Sequence, residues 1–161
     1  MYTAKQIARA GMIAALYALI TLLLLPVSFG RIQLRISEAL TLLPVLLPEA
    51  VPGLTVGCFV ANLLGGAPWY DIVFGTLATL LAALATRGLR RRPLLSALSP
   101  ALFNGIIVGS VVYTTTLHIP QTSVDFQMLL PCMALVGISE ALICCTLGLG
   151  LLKLPALRHI R

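Results

Sequence analysis

Charge is what this chain has least of: 10% of its 161 residues are charged and only five are acidic. Aromatic residues make up 6% and histidine occurs twice, while 59% of the residues are hydrophobic and mean hydropathy is +1.02. A soluble domain carries about a quarter charged residues, so that class is excluded. No Gly-x-x-x-x-Gly-Lys-[Ser/Thr] occurs, and no soluble region remains to hold a nucleotide, so ATP hydrolysis by this chain alone is not expected. Gly-x-Ser-x-Gly, His-Glu-x-x-His and paired Asp residues at protease-like positions are also missing, which leaves an enzyme reading weak. The four cysteines, Cys58, Cys132, Cys144 and Cys145, lie in apolar runs without metal-type spacing, and His118 and His159 are far apart. Zinc and disulfide frameworks are excluded, and no cofactor is expected in the chain.

What is present is a series of apolar runs. A transmembrane helix takes roughly 20 such residues, so six would use about 120 and leave about 40 for loops and tails. The runs cover about 7–25, 32–47, 51–64, 72–86, 94–117 and 128–152, punctuated at Pro26, Pro48, Gly65, Gly66 and Pro68. With the N-terminus inside, the cytoplasmic set is Lys5, Arg9, Arg87, Arg90, Arg91, Arg92, Lys153, Arg158 and Arg161, nine of the eleven basic residues. Positive charge marks the cytoplasmic side, so an even count with both termini inside is favoured. The expected fold is an all-α membrane protein, residues 1–161 forming one six-helix, multi-pass domain of the cell membrane. No secretory signal is expected, because the first run is too long for one and lacks a cleavage site. The Arg87 to Arg92 cluster reads as a topology determinant, not a nucleic-acid patch.

Ionisable groups within hydrocarbon cost roughly 2.5 to 3.5 kcal/mol each on insertion scales, so those present face the bundle interior and often mark a substrate path. Glu140 falls near the middle of the sixth run, and Glu38 lies about two turns into the second, three residues after Arg35. A local Arg35–Glu38 ion pair is the plain alternative for Glu38. Asn62 and Asn104 add amides that need partners, with interhelical hydrogen bonds as the structural alternative. Trp69, Tyr70, Asp71 and Tyr113 cluster toward the outer face, where aromatic belts are common. Carboxylates, amides and aromatics together suit a planar, nitrogen-rich ligand: paired N–H groups bind a carboxylate and a ring stacks on the heterocycle. Composition alone leaves an amino acid or another vitamin open. Small residues are patterned too: Ala10, Ala14 and Ala18 recur every four residues beside Gly11 and Ala15, and Gly53 with Gly57 and Gly105 with Gly109 repeat the spacing. Such stripes allow close helix approach, either within the bundle or from a partner.

Several segments resemble one family. Phe29-Gly-Arg-Ile-Gln-Leu-Arg-Ile-Ser-Glu-Ala-Leu40, Pro52-Gly with Gly57, Ala61-Asn-Leu63, Asp71 to Gly75, Phe103-Asn-Gly-Ile-Ile-Val-Gly109, and Glu140 with Leu147-Gly-Leu149 are similar to the QueT queuosine-precursor transporters. These are substrate-binding S components of energy-coupling factor (ECF) transporters. The resemblance covers essentially the whole chain, and Arg-Ile-Ser-Glu-Ala-Leu is its most specific element; Ser139 departs from it where glycine is expected.

The resemblance implies a six-helix S component that takes a 7-deazaguanine (preQ0, preQ1 or queuine) from outside. It also implies a transmembrane coupling subunit and two cytoplasmic ATPases as partners, ATP being used by those ATPases. By the same likeness Ala10, Ala14 and Ala18 carry docking, and the Pro26 to Gln33 loop caps the pocket. Expected roles are Glu140 and Asn104 on the heterocycle edge and Glu38 on a second polar contact or an aminomethyl cation. Arg35 orients Glu38, Trp69 or Tyr113 stacks, and Asn62, Tyr70 and Asp71 complete the site. An S component for another vitamin or nucleobase, and a non-transport assembly protein of the membrane, are the competing expectations.

Overall fold

A computed structural model describes residues 2–28, 34–116 and 125–154. Its elements are α1 (Ala4–Leu23), the one-turn α2 (Leu25–Ser28), a 3-10 helix (Ile36–Val45), α3 (Ala50–Leu64), α4 (Trp69–Gly88), α5 (Pro93–Thr116) and α6 (Phe126–Ile143). A π-helical turn (Cys144–Gly148) then leads into α7 (Leu149–Leu152), and no strand occurs among the described residues. Among the described residues four stretches are long and apolar enough to cross a membrane: α1, α4, α5 and the run from Phe126 to Leu152.

The expected second crossing differs most. Over 32–47 the described part is a 10-residue 3-10 helix, which at about 2.0 Å per residue reaches only about 20 Å of a roughly 30 Å hydrocarbon layer. Pro44 removes one N–H from the ladder, and Thr41 Oγ1 donates to the Glu38 carbonyl at 2.5 Å, a local bond that competes with α-geometry. The third run forms α3 of 15 residues, about 22 Å long and likewise short of a full crossing. The 3-10 helix is buried on nearly every side and touches α1, α3, α4, α5 and α6, so it is the axle of the bundle. Three residues per turn place Arg35, Glu38 and Thr41 in one row along it.

Around this axle α1 packs on α3, α3 on α4, α4 on α5 and α5 on α6. Small residues set the spacing. A Cβ on Gly53 would stand 2.7 Å from the Ala10 carbonyl oxygen, and one on Gly57 would stand 2.8 Å from that of Ala14. The corresponding atom on Gly109 would meet Met133 Cα at 2.5 Å, and that on Gly105 would meet Gly137 Cα at 3.1 Å. In the stripe expected as a partner-docking face, Ala10 and Ala14 are half-buried and Ala18 is buried. Its Ala10 and Ala14 backbone receives the α3 glycines, while Gly11 and Ala15 beside it remain exposed.

Proline in α5 is accommodated by hydroxyls. Pro100 cannot donate to the Ser96 carbonyl one turn earlier, and that oxygen accepts from Ser99 Oγ at 2.9 Å and from Thr86 Oγ1 at 3.3 Å. The end of the bundle holding the α1 N-terminus is basic. There Arg9 pairs with the buried Glu49 at 3.2 Å, and Arg87 donates to the Pro44 carbonyl at 3.0 Å.

Candidate functional site

Polarity is inverted relative to a soluble protein. Ile7, Met12, Leu16, Leu19 and Leu23 are exposed along α1, as are Leu130, Leu135, Ile138 and Leu142 along α6, whereas Arg35, Glu38, Asn62, Asp71, Asn104 and Glu140 are buried. An apolar exterior is what lipid demands, and polar side chains survive inside only where they meet one another or a polar ligand.

The buried set forms one cluster supplied by every layer. Glu38 has Arg35 and Asn104 as neighbours, and Glu140 faces Glu38, Arg35 and Asn104. Asp71, in the first turn of α4, also faces Arg35. Tyr17 of α1 donates its hydroxyl to Glu38 Oε1. Asn62 Nδ2 donates to the Asp71 carbonyl at 3.2 Å, so α3 and the start of α4 are tied beside the guanidinium. The α4 backbone approaches closely because residue 75 is glycine. A Cβ there would lie 3.1 Å from Asn62 Nδ2, 3.9 Å from Asp71 Oδ1 and 4.0 Å from Arg35 Nη1.

Cys58 lies beneath this layer and accepts from Thr79 Oγ1 at 3.3 Å, while Cys144 donates to the Glu38 carbonyl at 3.5 Å. The π-helical turn begins at Cys144, one turn after Glu140, and this is a geometry often found at functional positions. Ser139, the departure from the family pattern, donates its hydroxyl to the Val136 carbonyl at 2.8 Å, and α6 runs through it unbroken.

Five buried side-chain oxygens of the cluster find no hydrogen-bond partner among the described residues: Glu38 Oε2, Asn62 Oδ1, Asp71 Oδ1, Asn104 Oδ1 and Glu140 Oε2. All five are acceptors. Leaving such a group unmade costs roughly 1–3 kcal/mol, so their convergence points to a donor-rich occupant. A cavity of about 310 Å³ beside α1 and the 3-10 helix, lined by Met12, Ile13, Leu16 and Leu40 among others, is apolar and does not include the cluster.

Of the residues singled out from sequence, Glu140, Asn104, Glu38, Arg35, Asn62 and Asp71 come together here. Trp69 does not join them: it is 70% exposed and meets Tyr70 edge-on, with ring centroids 5.6 Å apart. Tyr113 is buried but its hydroxyl accepts from the Asp125 backbone at 2.8 Å, tying the end of α5 to the start of α6. Most of the expected cap, at 29–33, lies outside the described residues, as do Arg31 and His118. Sequence reasoning missed Tyr17, and it named Cys58, Cys144 and Gly75 without assigning them to the site. A tyrosine in the middle of an apolar helix was a usable signal, since a buried phenol needs a partner.

An all-helical membrane protein with an acceptor-lined polar centre is thus the class that fold and site define. Comparison with known sequences narrows it. A family model described as QueT transporter matches residues 7–156, and the chain belongs to that family. A curated relative from Lactococcus lactis subsp. cremoris (strain MG1363), named queuosine precursor transporter QueT, is 34% identical over 73 residues. That match covers 44% of this chain and 43% of the relative. No solved structure matches the chain.

Proposed function

We propose that the protein is the substrate-binding S component of an ECF-type importer in the cell membrane, capturing a 7-deazaguanine queuosine precursor from outside. The observation that carries this reading is the set of five acceptors, drawn from the 3-10 helix, α3, α4, α5 and α6, that have no partner among the described residues. A 7-deazaguanine offers N1–H, a 2-amino group and a pyrrole N–H along its edges, and preQ1 adds an aminomethyl group. The N1–H and 2-amino pair fits a carboxylate with two parallel bonds, and the amide of Asn104 would meet the adjacent ring atoms.

Energy comes from elsewhere in this reading: a transmembrane coupling subunit and two ATPases, with this chain neither hydrolysing ATP nor transforming its ligand. Both termini lie inside and the chain passes six times. The basic end formed by Arg9, Arg87 and Arg90 then faces the cytoplasm, and the short 3-10 helix and α3 complete their passages within the bundle.

Calorimetric titration of the detergent-solubilised protein with preQ0, preQ1, queuine and guanine tests the proposal. Saturable binding of the deazaguanines is expected, and Glu140→Gln should weaken it about 10- to 100-fold, the scale of one charged hydrogen bond of roughly 1.5–3 kcal/mol. Flat titrations with all the deazaguanines would overturn the ligand assignment. Copurification of the tagged protein with two ATPases tests the coupling, and its absence under gentle extraction would speak against an S component.

A further inference from the structure

Resting on the reading that the cluster is the ligand site, a second conclusion follows from its charge. Three carboxylates, Glu38, Asp71 and Glu140, share the neighbourhood of one guanidinium, Arg35, and all four side chains are buried. The elements packed against them bring no second cation among the described residues. Tyr17 comes from α1, Cys58 and Asn62 from α3, Asn104 from α5 and Cys144 from the π-helical turn. Arg9 and Arg87 are held at the basic end by Glu49 and by the Pro44 carbonyl.

Among the described residues Arg35 balances one carboxylate and leaves two in excess. Buried charge is tolerated only when compensated, so the excess must be met by protons or by a cation that enters with the ligand. Each of Glu38, Asp71 and Glu140 also presents one oxygen without a hydrogen-bond partner among the described residues, so the compensating group has to be a donor. An alkylammonium meets both needs for one of the two, carrying three N–H bonds and one positive charge, while the other is met by a proton that the carboxylates hold with or without ligand.

We infer that the site selects a ligand bearing an alkylammonium beside its donor-rich heterocycle, and that a neutral ligand with the same heterocycle enters only together with a proton. The pair preQ1 and preQ0 isolates this, because the aminomethyl group of one is protonated at neutral pH and the nitrile of the other is neutral. Titrations of the intact protein at pH 6, 7 and 8, each in two buffers of different ionisation enthalpy, give affinity and proton uptake together. At pH 7 and above preQ1 should bind at least about tenfold more tightly than preQ0, with little proton uptake. Binding of preQ0 should take up about one proton and weaken by up to about tenfold per pH unit. Glu38→Gln should lose more affinity for preQ1 than for preQ0, and unchanged helicity and thermal unfolding show that the variant is folded. Equal affinities with no proton uptake across the pH range would overturn the inference while leaving the site reading intact. Failure of both ligands to bind would overturn the site reading itself.

Discussion

Gly57→Ala is the most informative single change in the fold, because it adds one methyl group where α1 and α3 meet and where Tyr17 begins. The new Cβ would lie 2.8 Å from the Ala14 carbonyl oxygen and 3.0 Å from both Ala14 Cα and Tyr17 Cβ, against the 3.4 Å at which ordinary contact starts. The atoms it meets are backbone and a Cβ, which no rotamer change can move, so the two helices must part by about 0.6 Å. A gap of that size forfeits roughly a quarter of the dispersion energy of the neighbouring contacts, and overpacking of this kind costs about 1–3 kcal/mol. The gain in helix propensity on replacing glycine, roughly 0.5–1 kcal/mol, offsets part of it. A net loss of about 1–2 kcal/mol is expected. Gly11→Ala is the control: it lies in the same membrane-crossing helix system with nothing within 4 Å of the added atom, so only the propensity gain applies. Thermal unfolding of both variants in one detergent should separate them, with Gly57→Ala below the parent and Gly11→Ala at or above it. If Gly57→Ala unfolds at or above the temperature of Gly11→Ala, the close α1–α3 approach is wrong.

Three further outcomes follow from single contacts. Gly75→Ala places a methyl 3.1 Å from Asn62 Nδ2 and displaces that amide from the Asp71 carbonyl; deazaguanine affinity should fall about tenfold, the loss of roughly one hydrogen bond, and unchanged affinity would detach Asn62 and Asp71 from binding. Tyr17→Phe removes the hydroxyl that donates to Glu38 and leaves that carboxylate with one partner fewer; calorimetry should show altered deazaguanine affinity with retained helicity, and an unaltered isotherm would make the contact structural. Arg9→Met strands Glu49, whose side chain is 2% exposed, whereas Glu49→Gln strands an Arg9 that is 21% exposed and can turn toward water. Unfolding should therefore show Arg9→Met as the more damaging change, by roughly 2 kcal/mol, less than the 3–5 of a fully buried pair; the reverse order would refute the asymmetry.

The contrast between what could and could not be read from sequence follows from the range of the interactions. Glu38, Glu140 and Asn104 stood out because an ionisable or amide group inside an apolar run has to be explained by something other than lipid, and that argument is local. The helical class and the longer crossings were legible for the same reason: α4, α5 and the run from Phe126 to Leu152 need only composition and length. The 3-10 geometry of Ile36–Val45 was not, because the choice between two helical ladders depends on Pro44, on the Thr41 bond to Glu38 and on burial from every side. Nor was the packing of the Ala10 and Ala14 backbone against α3. A small-residue stripe announces close approach but not by whom, and only the register of α3 shows Gly53 and Gly57 opposite it. Asp71 was expected near the outer face and joins the cluster because Asn62 holds its backbone and Gly75 lets α4 approach.

Scarcity of acid is where sequence and structure bear on each other most closely. The chain has five acidic residues. Asp125 caps α6, its side chain accepting from the Gln127 backbone, and Glu49 pairs with Arg9. Each is explained by a local partner. The remaining three come from the 3-10 helix, α4 and α6, far apart in sequence, and converge on one arginine. If these polar residues served only to glue helices, pairing would be expected to leave no acceptor idle, as the hydroxyls of Ser96, Ser99 and Thr86 are used around Pro100. The cluster does the opposite: one oxygen of each carboxylate and the oxygen of both amides are buried without a partner among the described residues. Uncommitted acceptors at that depth are costly to the fold alone and useful to a protein that must hold a hydrogen-bond donor there.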